Sequence, residues 1–281
     1  MSSKTILITG ATNGIGRQTA LELAKLGHTI VFNARDMTRG QKVAEDLKIA
    51  SGNNNIFTLE CDLSSFDSIK KFVVEFDAEF KRLDVLINNA GTWEKKHSKT
   101  VDGIETTFAV NHLASFLLTN LLLPKLKASA PARIINVSSA LHSGKINFED
   151  IEFERSFVGL VPYTQSKLAN ILFTNKLARE LEDSGVTVNS LHPGIIRTAM
   201  TDKVPWSLRG IRGMFSSSIE SGAITSVYLA NSSEVDGVTG KYFEKCNQKD
   251  SGDYSNDIEI QDKLWQVSEQ YIQKAKNLLS F

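Results

Sequence analysis

Tyr163 and Lys167 stand four residues apart in Tyr163-Thr164-Gln165-Ser166-Lys167, at the start of a long amphipathic run. On a helix, positions i and i+4 share one face, so a phenol and an ammonium meet there. A free phenol titrates near pH ~10, and a cation held beside it favours the phenolate. The pair is therefore a candidate general acid or base that works near neutral pH. A Tyr four residues before a Lys also arises by chance on helix surfaces and in cores, so the rest of the chain has to decide.

The elements that would position the pair follow one pattern. Thr5 to Thr9 is a short β-rich apolar run that reads as a fully buried strand. Gly10-Ala11-Thr12-Asn13-Gly14-Ile15-Gly16 follows, then helical periodicity from Arg17 to Leu26, ended by Gly27. Strand, glycine turn and helix in that order let a backbone approach a pyrophosphate, with helix N–H groups facing the phosphates. A plain strand-to-helix connection has the same look, and the spacing is Gly-x3-Gly-x-Gly instead of the commoner Gly-x-Gly-x-x-Gly.

Thr29 to Ala34 closes a βαβ unit and ends in Asn33-Ala34-Arg35-Asp36. An Arg there suits a 2′-phosphate and an acid suits ribose hydroxyls, so Arg35 points to NADP while Asp36 leaves NAD open. The alternation continues with a helix over Met37 to Ala50, a strand over Ile56 to Leu59, and a helix to about Phe80 capped by Ser64 or Ser65. Asp62 either binds adenine or caps that helix. Val85-Leu86-Ile87 is a fourth strand, followed by the small residues Asn88-Asn89-Ala90-Gly91.

A helix is expected from about Gly103 to Leu126, with Asn111 in its apolar middle as either a structural clamp or a functional polar group. Ile134 to Ser139 is a fifth strand, the Tyr163 helix runs to about Asp183, and Val186 to Leu191 is a sixth strand before His192-Pro193-Gly194. Lys241 to Phe243 reads as an edge strand and Gln261 to Leu279 as a last helix. The unbroken alternation implies an α/β fold with one doubly wound parallel sheet of about seven strands, a single domain over 1–281. Residues 199–222 read as an insertion covering the site, and 257–281 as a C-terminal helix.

Composition removes other classes. Lys+Arg and Asp+Glu number 32 each, so bulk attraction to nucleic acid is not expected. Cys61 and Cys246 form no CxxC pair and the five histidines have no ligand spacing, which argues against a disulfide scaffold or a metal site. The greasiest stretch, Phe108 to Leu123, is shorter than the roughly 20 apolar residues of a membrane span. Of the sequons at Asn136 and Asn231, the first ends a buried strand where a glycan does not fit.

Taken together, these residues resemble the short-chain dehydrogenase/reductase family. The resemblance rests on Thr9, Gly10, Gly14 and Gly16 for the turn, Asp62-Leu63, Asn88 to Gly91, the mid-helix Asn111, Ser139, Tyr163 with Lys167, Pro193-Gly194 and Thr198. It implies a catalytic set of Asn111, Ser139, Tyr163 and Lys167. Tyr163 would pass a proton to or from the substrate oxygen, and Ser139 would orient that oxygen. Lys167 would lower the Tyr pKa and bind the nicotinamide ribose, and Asn111 would hold a relay water through its backbone.

The resemblance also implies a cofactor site over Gly10, Thr12, Asn13, Gly14, Ile15, Gly16, Arg35, Asp62, Leu63, Asn89, Ala90, Gly91, Tyr163, Lys167, Pro193, Gly194 and Thr198. Strand alternation would turn Ser138 to the opposite face. Ala34 followed by Arg35 is similar to the NADP-preferring pattern, although the second basic residue of that pattern would fall at Asn13. NADP(H) is the expected cofactor, ahead of NAD(H).

A finer resemblance, carried by Asn136 to Ser139, Gly144 to Phe148, Tyr163 to Asn170 and His192 to Gly194, is to the NADP-dependent, retinal-reducing retinol dehydrogenases and the related WW-domain oxidoreductase. It implies an alcohol dehydrogenase/carbonyl reductase acting on a lipophilic small molecule. Steroid or protochlorophyllide-type reduction, or a silent nucleotide sensor, are the alternatives. With no membrane anchor or WW domain read from the sequence, a cytoplasmic protein is expected. By analogy, a homodimer would form through the helices at roughly 103–126 and 161–183.

Overall fold

The structure is a computed structural model that describes residues 3–194 and 218–278. Its sheet orders eight strands as β3-β2-β1-β4-β5-β6-β7-β8. They are β1 (Thr5–Ile8), β2 (Thr29–Ala34), β3 (Ile56–Glu60), β4 (Val85–Asn88), β5 (Ala132–Val137), β6 (Val186–His192), β7 (Lys241–Glu244) and β8 (Asn247–Lys249). The first seven pair in parallel; β8 turns back antiparallel on β7. The edge strand is therefore β8, one more than the sequence showed. Its three residues are all exposed and carry no apolar pattern.

β1 and β4 are buried almost throughout because helices cover both faces. One face carries α1 (Gly14–Lys25), α2 (Met37–Ser51) and α7 (Ile219–Asn231). Its core gathers Ile6, Ile8, Phe32 and Val85 against Leu23, Leu47 and Leu229. The other face carries α3 (Phe66–Glu79), α5 (Ala114–Ala128), α6 (Val161–Glu180) and α9 (Ile258–Leu278). Local chemistry sets the ends: Asp36 accepts from the Arg39 N–H to cap α2, and Ser65 caps α3 through the Ser68 N–H.

The expected helix over 103–126 is observed as a continuous run Thr106–Ala128, but not as a plain α-helix. A short α4 (Thr106–Phe108) leads into a π-turn at Ala109–Leu113 before α5. Its first turn is capped by Glu105, whose fully buried carboxylate accepts from the Thr107 and Phe108 N–H groups at 2.7 Å each. The run is long and apolar enough to cross a membrane, yet 72% of its apolar 18-residue window is buried inside the fold.

α9 packs over the helices that the dimer analogy used. Trp265 meets Phe116 edge-on at 4.9 Å, Ser268 bonds the His112 ring, and Asp262 pairs with Lys176 and Arg179. The short helix α8 (Asp253–Asn256) precedes it.

Candidate active site

The order reverses at β1, whose neighbours are β2 and β4, and there the carboxyl ends open a crevice. Gly10 leaves β1 at φ +70°, and a Cβ on it would lie 2.9 Å from the Ala90 Cα. A Cβ on Gly16 would lie 2.4 Å from the Asn89 side chain and 2.5 Å from the Gly10 carbonyl oxygen. The glycines are thus required by close packing of α1 on the turn, and at Gly14 by φ +54°.

Side chains set the turn. Thr9 Oγ1 accepts from the N–H groups of Asn89 and Ala90, both at 2.9 Å. Asn89 Nδ2 donates to the Thr9 carbonyl at 2.8 Å, so this amide shapes the turn. Asn33 Oδ1 accepts from the Gly10 N–H, and its Nδ2 donates to the Cys61 carbonyl. Sequence reading passed over Asn33; the signal was a lone amide in an otherwise apolar strand.

Asp36 commits a carboxylate oxygen to the α2 cap, whereas Arg35 is exposed at the end of β2. Asp62 does not cap α3: its carboxylate accepts from the N–H and hydroxyl of Ser64 in its own turn. Leu63 packs partly buried beside it. Thr12, Asn13 and Ile15 line the turn into α1, where Asn13 holds the N-cap position without a side-chain bond.

On the far side of the crevice, Ser139 follows β5, with Tyr163 and Lys167 on α6. The Ser139 side chain lies beside the Tyr163 phenol, close enough to favour its ionised form. Lys167 Nζ lies 5.7 Å from the centre of the Tyr163 ring and donates to the Val137 carbonyl at 3.0 Å. Burial pushes the Tyr163 phenol above its ordinary value, partly offset by Ser139. Burial also lowers Lys167 to about 8. In the protein alone, then, the ammonium does not pull the phenol towards neutrality: it sits over the ring, and its own charge is costly to hold.

Ser138 keeps the strand alternation: its N–H continues the β5–β6 ladder to the Leu191 carbonyl, and like Asn136 it turns towards α6, where its Oγ donates to the Lys167 carbonyl.

Asn111 lies in the π-turn and is fully buried. Its Oδ1 accepts from the Thr92 N–H at 2.6 Å, and its Nδ2 donates to the Thr92 carbonyl and to Ser166 Oγ. Ser166 in turn donates to the Tyr163 carbonyl. Both amide donors are spent and the oxygen is engaged, so Asn111 ties the loop after β4 to the helix of the Tyr/Lys pair. A π-turn shifts the backbone ladder by one residue, a feature concentrated at functional sites, and no residue pattern announces it. A Cβ on Gly91 would lie 3.3 Å from Lys167 Nζ and 3.4 Å from Asn111 Oδ1, so Gly91 joins the two halves of the crevice.

Pro193 and Gly194, the latter at φ +97°, follow β6 at the same end of the sheet. Thr198 and most of 199–222 lie outside the described residues.

The family model for short chain dehydrogenases matches residues 4–207. The chain belongs to the short-chain dehydrogenase/reductase family. It is an oxidoreductase fold with named relatives. Human (Homo sapiens) retinol dehydrogenase 14 is 44% identical over 96% of this chain and 86% of its own length. Human retinol dehydrogenase 13 is 44% identical over 94% and 83%. Among solved structures, an uncharacterized protein from Mycobacterium Paratuberculosis superposes with TM-score 0.77 at 31% identity, over 97% of this chain and 94% of that one. The Pseudomonas aeruginosa RhlG/NADP active-site complex gives TM-score 0.70 at 27% identity, over 86% and 94%. One expectation is corrected here: the relatives are retinol dehydrogenases and Thr106–Ala128 is long and apolar enough to cross a membrane, so the cytoplasmic assignment does not stand.

Proposed function

We propose that this single-domain chain transfers a hydride between NADP(H) and a lipophilic alcohol/carbonyl pair of retinal-like or other aldehyde and ketone type. The observation that carries this reading is the chain of neighbours Ser139, Tyr163, Lys167 and Asn111, the last two beside Gly91, next to a glycine turn close-packed at Gly10 and Gly16.

The turn at Gly10, Thr12, Asn13, Gly14, Ile15 and Gly16 fits a pyrophosphate, because it offers backbone with no Cβ in the way at the start of a twelve-residue helix. Asp62, Leu63, Asn89, Ala90 and Gly91 would flank the adenosine and nicotinamide halves. Tyr163, Lys167, Pro193, Gly194 and Thr198 would complete the nicotinamide side. Arg35, exposed beside a neighbour already spent on a cap, suits a 2′-phosphate and favours NADP over NAD. When bound, the cofactor supplies or accepts the hydride.

In reduction, Tyr163 donates the proton to the carbonyl oxygen while Ser139 holds that oxygen; in oxidation the phenolate takes it back. Lys167, within reach of Gly91, orients the ribose and supplies charge near the phenol. Asn111 holds Thr92 and Ser166 in place, with the π-turn backbone available to a relay water. The names of the relatives and the NADP complex among the structural neighbours support this reading. With α9 over α5 and α6, a homodimer would use a different face.

The test is NADPH oxidation against a panel of aldehydes and ketones including all-trans-retinal, with NADH in parallel. Turnover that prefers NADPH and falls with added polarity on the substrate is the expected result. Turnover with NADH alone would overturn the role of Arg35, and tight NADPH binding with no turnover on any carbonyl would favour the sensor.

A further inference from the structure

The carbonyl of Ser139 is held from two directions by residues distant from the Tyr/Lys helix. Tyr242, 6% exposed on β7, donates its hydroxyl to that carbonyl at 3.2 Å. His142 reaches the same oxygen through Nδ1 at 2.6 Å. A carbonyl can only accept, so Nδ1 carries the proton in this contact. The two rings meet edge-on with centres 5.0 Å apart, so each restrains the other.

Ser139 lies two residues past the end of β5, where no strand ladder fixes its peptide plane. Its Oγ accepts from the Leu141 N–H at 3.0 Å and lies beside the Tyr163 phenol. Rotation of the 139–140 peptide would displace the Leu141 N–H that anchors this hydroxyl. Misplacement of a reacting group by even ~1 Å can cost about a hundredfold in rate.

We propose that Tyr242 and His142 are positioning residues: they clamp the Ser139 carbonyl and, through it, the hydroxyl that orients the substrate oxygen. This rests on the reaction proposed above. The β7 strand thereby acts on the chemistry from across β6, and the sheet edge becomes part of the site.

The experiment is steady-state carbonyl reduction by the full chain, comparing Tyr242→Phe, His142→Ala and their double variant, each with and without Ser139→Ala. Each single variant keeps one donor on the carbonyl and should lower kcat about three- to tenfold, with the NADPH dissociation constant within about twofold of wild type. The double variant should lose more than the product of the singles, because only there is the carbonyl released. Added to Ser139→Ala, all three should change the remaining rate by less than about twofold.

Losses that simply multiply in the double variant, or that persist undiminished on top of Ser139→Ala, would overturn the clamp. A Ser139→Ala enzyme with the wild-type rate would instead overturn the reaction itself. If Ser139→Ala leaves no measurable rate, the Tyr242/His142 cycle decides alone; if Tyr242→Phe fails to fold, His142→Ala with and without Ser139→Ala decides.

Discussion

The two ends of the sheet treat polar groups in opposite ways. At the amino ends of the strands, most charges meet their complements, with Lys4 on the Ala230 carbonyl the exception. Asp84 accepts from the Thr5 N–H at 2.8 Å and from the Arg82 guanidinium, and Arg133 donates to the Leu229 and Ser232 carbonyls and pairs with Asp236. At the carboxyl ends, Lys167 is buried with a carbonyl as its partner, and half-buried Tyr163 lies beside a hydroxyl. Burial displaces the pKa of both, in the direction that disfavours charge.

A groove of about 910 Å³ lies at the settled end, lined by Arg133, Arg179, Gly185, Asp236 and Lys241. What marks the crevice is its unsettled electrostatics. A sheet end built for stability neutralises its charges, and one built for proton transfer keeps them apart and available.

The largest effect should come from Tyr163→Phe. It removes one oxygen and leaves the ring under Lys167, so folding and NADPH binding should be retained. Turnover should fall about a thousandfold, the scale of general acid catalysis. Turnover at the wild-type rate would falsify the acid/base role and erase the contrast between the two ends.

Lys167→Met sharpens the comparison through stability. The folded-state pKa of about 8 lies below the ordinary 10.5, so the unfolded chain binds the proton more tightly. The folded state therefore carries a penalty of about 3 kcal/mol at and below pH 7, which fades as pH rises from about 8 through 10.5. Methionine removes the penalty but leaves the Val137 carbonyl without its donor, which returns about 1 kcal/mol. The variant should be inactive yet more stable than wild type at pH 7, with the gap closing by about pH 10.5. Urea denaturation at both pH values measures this. A variant less stable at pH 7 would mean that Lys167 is a structural tie and not a strained functional group.

How much of this was legible beforehand divides along the same physical lines. The strands, the helices and the Tyr163/Lys167 pair were readable because burial and i,i+4 spacing are written in residue types. The glycine turn was readable because backbone contact at Gly10 and Gly16 excludes side chains.

The π-turn at Asn111 was not, since it shifts hydrogen bonds without a residue signature. Asn33 and Tyr242 were passed over because their partners, Gly10 and the Ser139 carbonyl, lie 23 and 103 residues away. The phenol's pKa was misjudged for a related reason. Spacing places an ammonium near a phenol, but it does not say how far each is withdrawn from water, and here desolvation is the largest cause for both.

The smallest effect tests the settled end. Asp84→Asn keeps the size of a side chain that binds the Thr5 N–H and the Arg82 fork, and removes the charge. The Arg82 side chain is 57% exposed and Asp84 12%, so the ion pair is partly screened and the loss is set mainly by the charge-assisted bond to Thr5. Destabilisation should be about 1–2 kcal/mol, a fall in melting temperature of about 2–8 °C for a chain of this size. Catalysis should hold within about twofold, because the substitution lies at the opposite end of β4 from Asn89 and Gly91. Fluorescence-monitored melting beside the NADPH assay separates the two quantities. A kcat that fell with the melting temperature would show that strain at the amino ends reaches the crevice through β1 and β4, and the division between a stabilising end and a reacting end would have to be abandoned.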